Sequence, residues 1–335
     1  MIELLRVPSF LTVQDSGRRG YRKLGVPLSG FMDDYSARIA NYLVGNPGSA
    51  PLLEFLLTGP TLRFNSSTVF AVAGDTDVKL NGLSIEPWTS HWAMRGDILE
   101  VGTLKSGLYG YIAFAGGLKC KRLLGSCSTY PKAGLGMPLK AGDRLTLGYA
   151  ILTGREGRSI PMELRPNYSQ GSIEVRVVLG PNPEHFTKKG AETFLSSEYT
   201  ITPESDRMGY RLDGPAIGHS PLGADIVTEP LLPGTVQVPA NGKPIVMMRD
   251  AQTTGGYAKI ATVVSADLHI LAQGRPGTKV RFKAVEVEEA QEALRRCEKT
   301  LEAIKAFLEG KMRAYKVKVG EKEFTAFAGP SSSSP

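Results

Sequence analysis

Two segments, Gly96-Asp97-Ile98-Leu99-Glu100-Val101-Gly102 and Gly142-Asp143-Arg144-Leu145-Thr146-Leu147-Gly148, share one device: a Gly-Asp turn feeding a strand of alternating apolar and polar residues. A related Gly277-Thr278-Lys279-Val280-Arg281-Phe282 occurs late in the chain. Alternation with period two gives a strand one face for a core and one for water, so such strands must curl or pack together to bury that face. Short runs of this kind, among them Leu62-Arg63-Phe64 and residues 69–72, 98–101 and 109–113, fill residues 52–148 between Gly, Asn and Pro. This is barrel or sandwich spacing, and 38 glycines and 22 prolines suit many strands joined by tight turns. The fold is therefore expected to be mainly β, with one barrel plan used twice. A length of 335 residues at 41% hydrophobic content is enough for two domains with sizeable cores.

The division follows from composition. Residues 154–170 are polar, with Arg155, Glu156, Arg158, Pro161, Arg165 and Pro166, and form a linker between a first barrel at 1–153 and a second at 171–284. A fresh strand opens the second at Ile173, and a short helix is expected over residues 183–194. Residues 285–335 add a charged helix with Ala290, Ala293, Leu294, Leu301, Ile304 and Leu308 on one stripe, then a short hairpin around Gly320 and a flexible tail at 331–335. In the first half, Asp33 or Asp34 caps a helix carrying Ile39, Ala40, Leu43 and Val44, and Gly45-Asn46-Pro47 ends it.

Several function classes are disfavoured. The net charge is +7, but 40 basic and 33 acidic residues are interspersed without a basic-aromatic run, which argues against nucleic acid. The first residues lack a signal peptide's pattern and no apolar run approaches membrane-spanning length, so a cytoplasmic protein is expected. Cys120, Cys127 and Cys297 fit neither a zinc nor a redox spacing and are expected to be reduced thiols. The four histidines are scattered, so no metal site is expected on them. In the calcium-like run Asp75, Asp77 and Glu86, the position needing glycine falls on Leu80. The chain has no GxxxxGK[ST] phosphate loop and no Ala-Met-Lys-Met biotin attachment site.

The densest set of uncharged hydrogen-bonding groups is residues 237–257, QVPANGKPIVMMRDAQTTGGY. Asn241-Gly242 supplies a tight reversal, residues 244–248 an apolar strand, and Arg249-Asp250 a charged end. Gln237, Gln252, Thr253, Thr254 and Tyr257 then offer donors and acceptors for a small substrate with carbonyl, amide or carboxylate groups, or they satisfy backbone at a barrel corner. Arg207 or Arg211 could clamp a carboxylate, or pair structurally with Asp206 or Asp213. The loop from Gln14 to Tyr21 could orient an anion, or be a surface turn in which Asp15 and Arg18 pair. Asp33 and Asn41 bracket the first helix as further polar candidates.

Together, Val13-Gln14-Asp15-Ser16-Gly17-Arg18-Arg19-Gly20, Gly25-Val26-Pro27-Leu28-Ser29-Gly30-Phe31-Met32-Asp33, Ala40-Asn41 with Gly45-Asn46, Ser205-Asp206-Arg207-Met208-Gly209-Tyr210, and Gly234-Thr235-Val236-Gln237-Val238-Pro239 running into Gln252-Thr253-Thr254-Gly255-Gly256-Tyr257 resemble the allophanate hydrolase subunit 2 family. That family includes the C subunit of 5-oxoprolinase, antagonists of the Kip kinase inhibitor, and the carboxyltransferase region of urea carboxylase. The resemblance covers about residues 2–282. It implies two tandem cyclophilin-like β-barrels and work alongside two further 5-oxoprolinase subunits, one Kip inhibitor-like and one LamB/YcsF-like. It further implies either ATP-dependent opening of 5-oxoproline to L-glutamate, biotin-dependent carboxyl transfer to a urea-like amide, or non-catalytic antagonism of a Kip-type inhibitor. Ala251 departs from the family, where arginine is frequent. For the first activity, Asp33, Asp250 and Arg207 are the expected catalytic groups, with Arg207 on the substrate carboxylate. Asn41, Gln237, Gln252, Thr253, Thr254 and Tyr257 are the expected substrate contacts. ATP is expected to be used through the complex, and the site is expected to be assembled from both halves of the chain.

Overall fold

The structure is a computed structural model and describes residues 1–168, 171–319 and 322–329; Gln170, the hairpin centre at Gly320 and the tail at 331–335 lie outside the described residues. Nine strands between Ile2–Arg6 and Arg144–Leu145 form the first sheet. Its main path runs Leu11–Gln14, Leu52–Leu56, Ile98–Phe114, Thr61–Phe64, Ile2–Arg6 and Arg144–Leu145, and the two ends of that path are not joined. The longest pair, Thr68–Leu80 against Ile98–Phe114, slips register between Ala73 and Val78, and bulges of this kind bend a sheet. The result is a curled half-barrel around Ile2, Leu4, Phe55, Phe64, Phe70 and Phe114, all essentially inaccessible to water.

Seven strands from Ser172–Leu179 to Lys279–Ala284 close a second barrel. Ser172–Leu179 runs parallel to Lys279–Ala284, and the remaining neighbours are antiparallel. Its interior takes Val175, Val177, Tyr210, Val236 and Val246, with Phe194 stacked on Phe282 and Tyr199 tilted against both. A two-stranded ribbon, Asp225–Pro230 with Thr254–Tyr257, stands outside the barrel. The chain is thus mainly β and built on two β units, the second closed and the first curled open.

The repeated turn of the sequence is a real structural device. Gly96 and Gly142 both take positive φ, and the following aspartates accept the N–H three residues back, Asp97 from Met94 and Asp143 from Lys140 at 2.8 and 2.9 Å. Gly277 also has positive φ, and Thr278 uses its hydroxyl in the same way on Arg275, at 3.1 Å. Each turn reverses the chain and launches the next strand in register.

Among the described residues, four helices complete the fold: α1 (Asp34–Leu43), α2 (Lys188–Ser196), α3 (Leu268–Ala272) and α4 (Val287–Leu308). Asp33 caps α1 by accepting from the Ser36 N–H at 2.9 Å, and Ile39, Ala40 and Leu43 bury its inner face. The helix expected over 183–194 is split. Pro183–His185 is a single tight turn, and α2 starts afresh where Thr187 accepts from the Gly190 N–H. Helix α4 buries Ala293, Leu301, Ile304 and Leu308 and ties to α1 through two Arg38–Glu298 hydrogen bonds of 2.7 and 2.8 Å. The hairpin Arg313–Val319 with Lys322–Ala328 follows. No helix among the described residues is long and apolar enough to cross a membrane.

Two sequence expectations are corrected. Cys120 and Cys127 are not free thiols but a disulfide, because the loop between them folds back to bring their Cα atoms to 5.8 Å; Cys297 alone is free. The exposed-turn reading of Asp15 and Arg18 also fails. Both are buried, and each grips the loop after Cys120: Asp15 accepts from Ser126 Oγ, Cys127 N–H and Ser128 Oγ, while Arg18 donates to the carbonyls of Leu123 and Ser128.

Candidate functional site

The two β units meet over a buried ion cluster. Glu54 interrupts the otherwise apolar strand Leu52–Leu56 and is 2% exposed. Arg207 comes from the second unit, just before the strand Gly209–Asp213, and Asp250 from the turn after Ile245–Met247. Arg207 donates Nε to Asp250 at 2.7 Å, Nη2 to Asp250 at 3.2 Å and to the Gly30 carbonyl at 2.7 Å, and Nη1 to Glu54. Glu54 also accepts the Met32 N–H at 2.8 Å. A guanidinium has five N–H groups, so Arg207 has little donor capacity left. Burial pulls its pKa down, but Asp250 and Glu54 outweigh that and hold it above the ordinary arginine value. Burial raises the Glu54 carboxyl above its usual range, with Arg207 pulling the other way.

Above this cluster lies a largely apolar cavity of about 540 Å³. Leu56, Leu108 and Tyr109 line it from the first unit and Ile201, Tyr210 and Pro276 from the second, with Arg207 and Asp250 at its floor. Burial raises the phenols of Tyr109 and Tyr210 above their usual pKa, and Tyr210 donates to the Ala272 carbonyl at 2.6 Å. Both therefore stay neutral near pH 7 and serve as walls or donors.

A second, more polar cavity of about 620 Å³ opens on the barrel and carries Gln237, Gln252, Tyr257, Asn241 and Arg211. Lys132, Asp206 and Met208 line both cavities and so form their common wall. Lys132 Nζ lies 3.2 Å from Asp206 Oδ2 and 2.8 Å from Met208 Sδ. The other Asp206 oxygen accepts the N–H groups of Met208 and Gly209 at 2.7 and 3.3 Å, fixing the carboxylate on its own turn. A further cavity of about 570 Å³ between α1 and α4 has most of its charges paired, Arg38 with Glu298 and Arg249 with Asp34 at 3.2 Å.

The candidates named from sequence separate into two groups. Arg207 and Asp250 reach the apolar cavity, and Gln237, Gln252 and Tyr257 the polar one, so these five border one two-chambered cleft. Gln237 is 2% exposed and donates to the Tyr257 carbonyl at 3.3 Å; Gln252 is exposed. Asp33 and Asn41 line neither chamber. Asp33 is fully buried, accepting from Gln273 Nε2 at 2.8 Å and from the Tyr168 hydroxyl besides capping α1. Asn41 donates to the Gly48 and Ala50 carbonyls at 3.3 and 3.0 Å and accepts from Asn46 at 3.2 Å. Thr253 and Thr254 belong to the outer ribbon and its approach, away from the chamber linings. Residues 237–257 reach the start of α1 through Arg249, whose guanidinium pairs with Asp34 and whose carbonyl accepts the Ser29 N–H.

Sequence reasoning missed Glu54 and Lys132. A lone glutamate inside Leu52-Leu53-Glu54-Phe55-Leu56 was a usable signal, because an ionisable side chain in a buried strand demands a partner. Lys132 had no such signal.

A family model described as the carboxyltransferase domain, subdomain A and B, matches residues 24–284. The chain is 36% identical over 301 residues to the 5-oxoprolinase C subunit of Escherichia coli (strain K12), spanning 88% of this chain and 94% of that protein. It is 35% identical over 317 residues to the 5-oxoprolinase C subunit of Haemophilus influenzae, spanning 93% of this chain and 100% of that protein. The crystal structure of the K. lactis urea amidolyase superposes with a TM-score of 0.85 at 29% identity over 90% of this chain, which corresponds to 20% of that larger protein. With the motifs, the two-unit architecture and these relatives in agreement, the chain belongs to the carboxyltransferase-domain family, subdomains A and B.

Proposed function

We propose that the chain is the C subunit of an ATP-dependent 5-oxoprolinase, working with a Kip inhibitor-like and a LamB/YcsF-like subunit to open 5-oxoproline to L-glutamate. The observation that carries this reading is sequence similarity: the chain is 36% and 35% identical to two 5-oxoprolinase C subunits, against 32% and 31% to two yeast urea amidolyases. The cleft also suits the substrate chemically. A five-membered lactam carries ring methylenes, for which the apolar chamber offers Leu56, Leu108 and Ile201, and a carbonyl and N–H, for which the polar chamber offers the amides of Gln237, Gln252 and Asn241.

Asp250, fixed by two hydrogen bonds from Arg207 in the apolar chamber, is the carboxylate we assign to an incoming water's proton. The amides would hold the carbonyl oxygen as charge builds on it. ATP supplies the driving force for opening a resonance-stabilised amide. Its phosphates do not fit the glycine turn before α1, because the Asp33 carboxylate already occupies that helix N-terminus, so we assign ATP to another member of the complex.

The test is reconstitution. The isolated chain should show no 5-oxoproline-dependent ATP hydrolysis, and the three-subunit mixture should. Activity from the isolated chain would overturn the composite-site reading. A second reading, the carboxyltransferase part of a biotin-dependent urea-type carboxylase, is favoured by the urea amidolyase superposition. Carboxylation of a urea-like amide with a biotin carboxylase and carrier, without 5-oxoproline turnover, would select it.

A further inference from the structure

We propose that Lys132, at the wall shared by the two chambers, is the group that binds the carboxylate of the substrate. This rests on the 5-oxoprolinase reading and replaces Arg207 in that one role. Among the described residues, four side-chain cations border the cleft: Lys132, Arg207, Arg211 and Lys243. Arg207 is buried, with four hydrogen bonds to Glu54, Asp250 and Gly30. Lys243 is engaged by Asp213 at 2.9 Å and by the Gly214 carbonyl. Arg211 borders only the polar chamber. Lys132 borders both, its side chain is 58% exposed, and its one carboxylate partner among the described residues is Asp206 at 3.2 Å.

An ammonium has three donors, so Lys132 can keep Asp206 and still donate to a ligand oxygen. Asp206 is itself shared with the Met208 and Gly209 N–H groups, which draw on its charge. From this position the ammonium can take a carboxylate at the chamber boundary while the lactam ring lies on the apolar side and its amide faces the polar one.

The backbone under Lys132 is fastened, and its half-exposed side chain is already directed along the shared wall by Asp206 and Met208. Lys132 sits in the tight turn Pro131–Ala133. Tyr130 and Leu135 exchange backbone hydrogen bonds of 2.7 and 3.1 Å across that turn. Just before it, the Thr129 N–H donates to the Val13 carbonyl at 3.0 Å, Asp15 holds residues 126–128, and the Cys120–Cys127 disulfide closes the loop. A cation on so anchored a base can be presented to a ligand at small entropic cost.

Binding of two ligands to the reconstituted complex tests this: 5-oxoproline, and 2-pyrrolidinone, the same ring without the carboxylate. Lys132→Met should weaken 5-oxoproline by about tenfold or more while leaving 2-pyrrolidinone within about twofold, and Lys132→Arg should recover much of the loss. The KM for 5-oxoproline should rise more than kcat falls. Equal weakening of both ligands in Lys132→Met, or loss of the carboxylate preference in Arg211→Met but not in Lys132→Met, overturns the proposal while leaving the 5-oxoprolinase reading in place. A wild-type complex that binds neither ligand removes both.

Discussion

Asp33 and Asn41 in the first unit and Gln237 and Gln252 in the second are polar residues of similar chemistry, yet the fold uses them in opposite ways. The first pair is fully buried and bonded to Ser36, Gln273, Gly48 and Ala50, leaving nothing to offer a ligand. The second pair lines a cavity: Gln252 is exposed in it, while Gln237, buried and donating to the Tyr257 carbonyl, forms part of its wall. The difference teaches that a polar side chain in an apolar context signals an obligation, and only its geometry tells whether protein or ligand meets it. The same contrast separates Arg207, saturated by protein acceptors, from Lys132.

The severest test of this contrast is Arg207→Ala. It would leave Glu54 and Asp250 buried without a cation, so unfolding in denaturant should show a loss of roughly 3–5 kcal/mol. A loss of less than about 1 kcal/mol would mean that the carboxylates find water and the cluster is not sealed. Next comes a matched pair. Asp33→Asn places an amide donor against donors from Gln273, Tyr168 and Ser36 and should cost about 1–3 kcal/mol of stability. Gln252→Ala should stay within about 0.5 kcal/mol yet lower activity of the reconstituted complex on the order of tenfold. Reversal of the two outcomes would exchange the roles of the units.

The smallest effect is at Cys297, where α4 meets α1. Burial, and then Asp34 and Glu298, push this thiol up from 9.0 to about 11. A raised value means that the folded state favours the neutral form. Its contribution to stability is therefore full below about pH 9 and lost as pH rises through about 11. At about pH 8, alkylation by iodoacetamide should be on the order of tenfold slower in the folded chain than in the unfolded one. Equal rates would show that α4 lifts away from the first unit.

What could be read from the chain beforehand was local. The Gly-Asp turns, the Asp33 cap and most of the α4 stripe each depend on residues a few positions apart and stand in the structure, although Leu294, expected on that stripe, is exposed. The cross-unit bonds could not be read in this way. Gln273 reaches Asp33 across 240 residues and Arg207 reaches Glu54 across 153, and no spacing rule connects such partners. The disulfide was missed for a related reason: a seven-residue separation matches no familiar motif, and only the fold-back of the loop makes it feasible. Within the candidate site, residues 237–257 were visible because their polar groups are clustered in sequence, whereas Lys132 gains its place from tertiary position alone.

The Glu54–Arg207–Asp250 cluster has an evolutionary corollary. A gene split in the polar segment between the two units would yield one product with an unaccompanied Glu54 and another whose Arg207 has lost the partner of its Nη1. Each product would expose, at its broken face, a charge fitted to the other and to little else. Fission into two separately inherited genes would therefore require either that the products find each other soon after synthesis or that both ionic positions turn apolar in concert. A single open reading frame avoids that double requirement by supplying acid and base in fixed one-to-one stoichiometry.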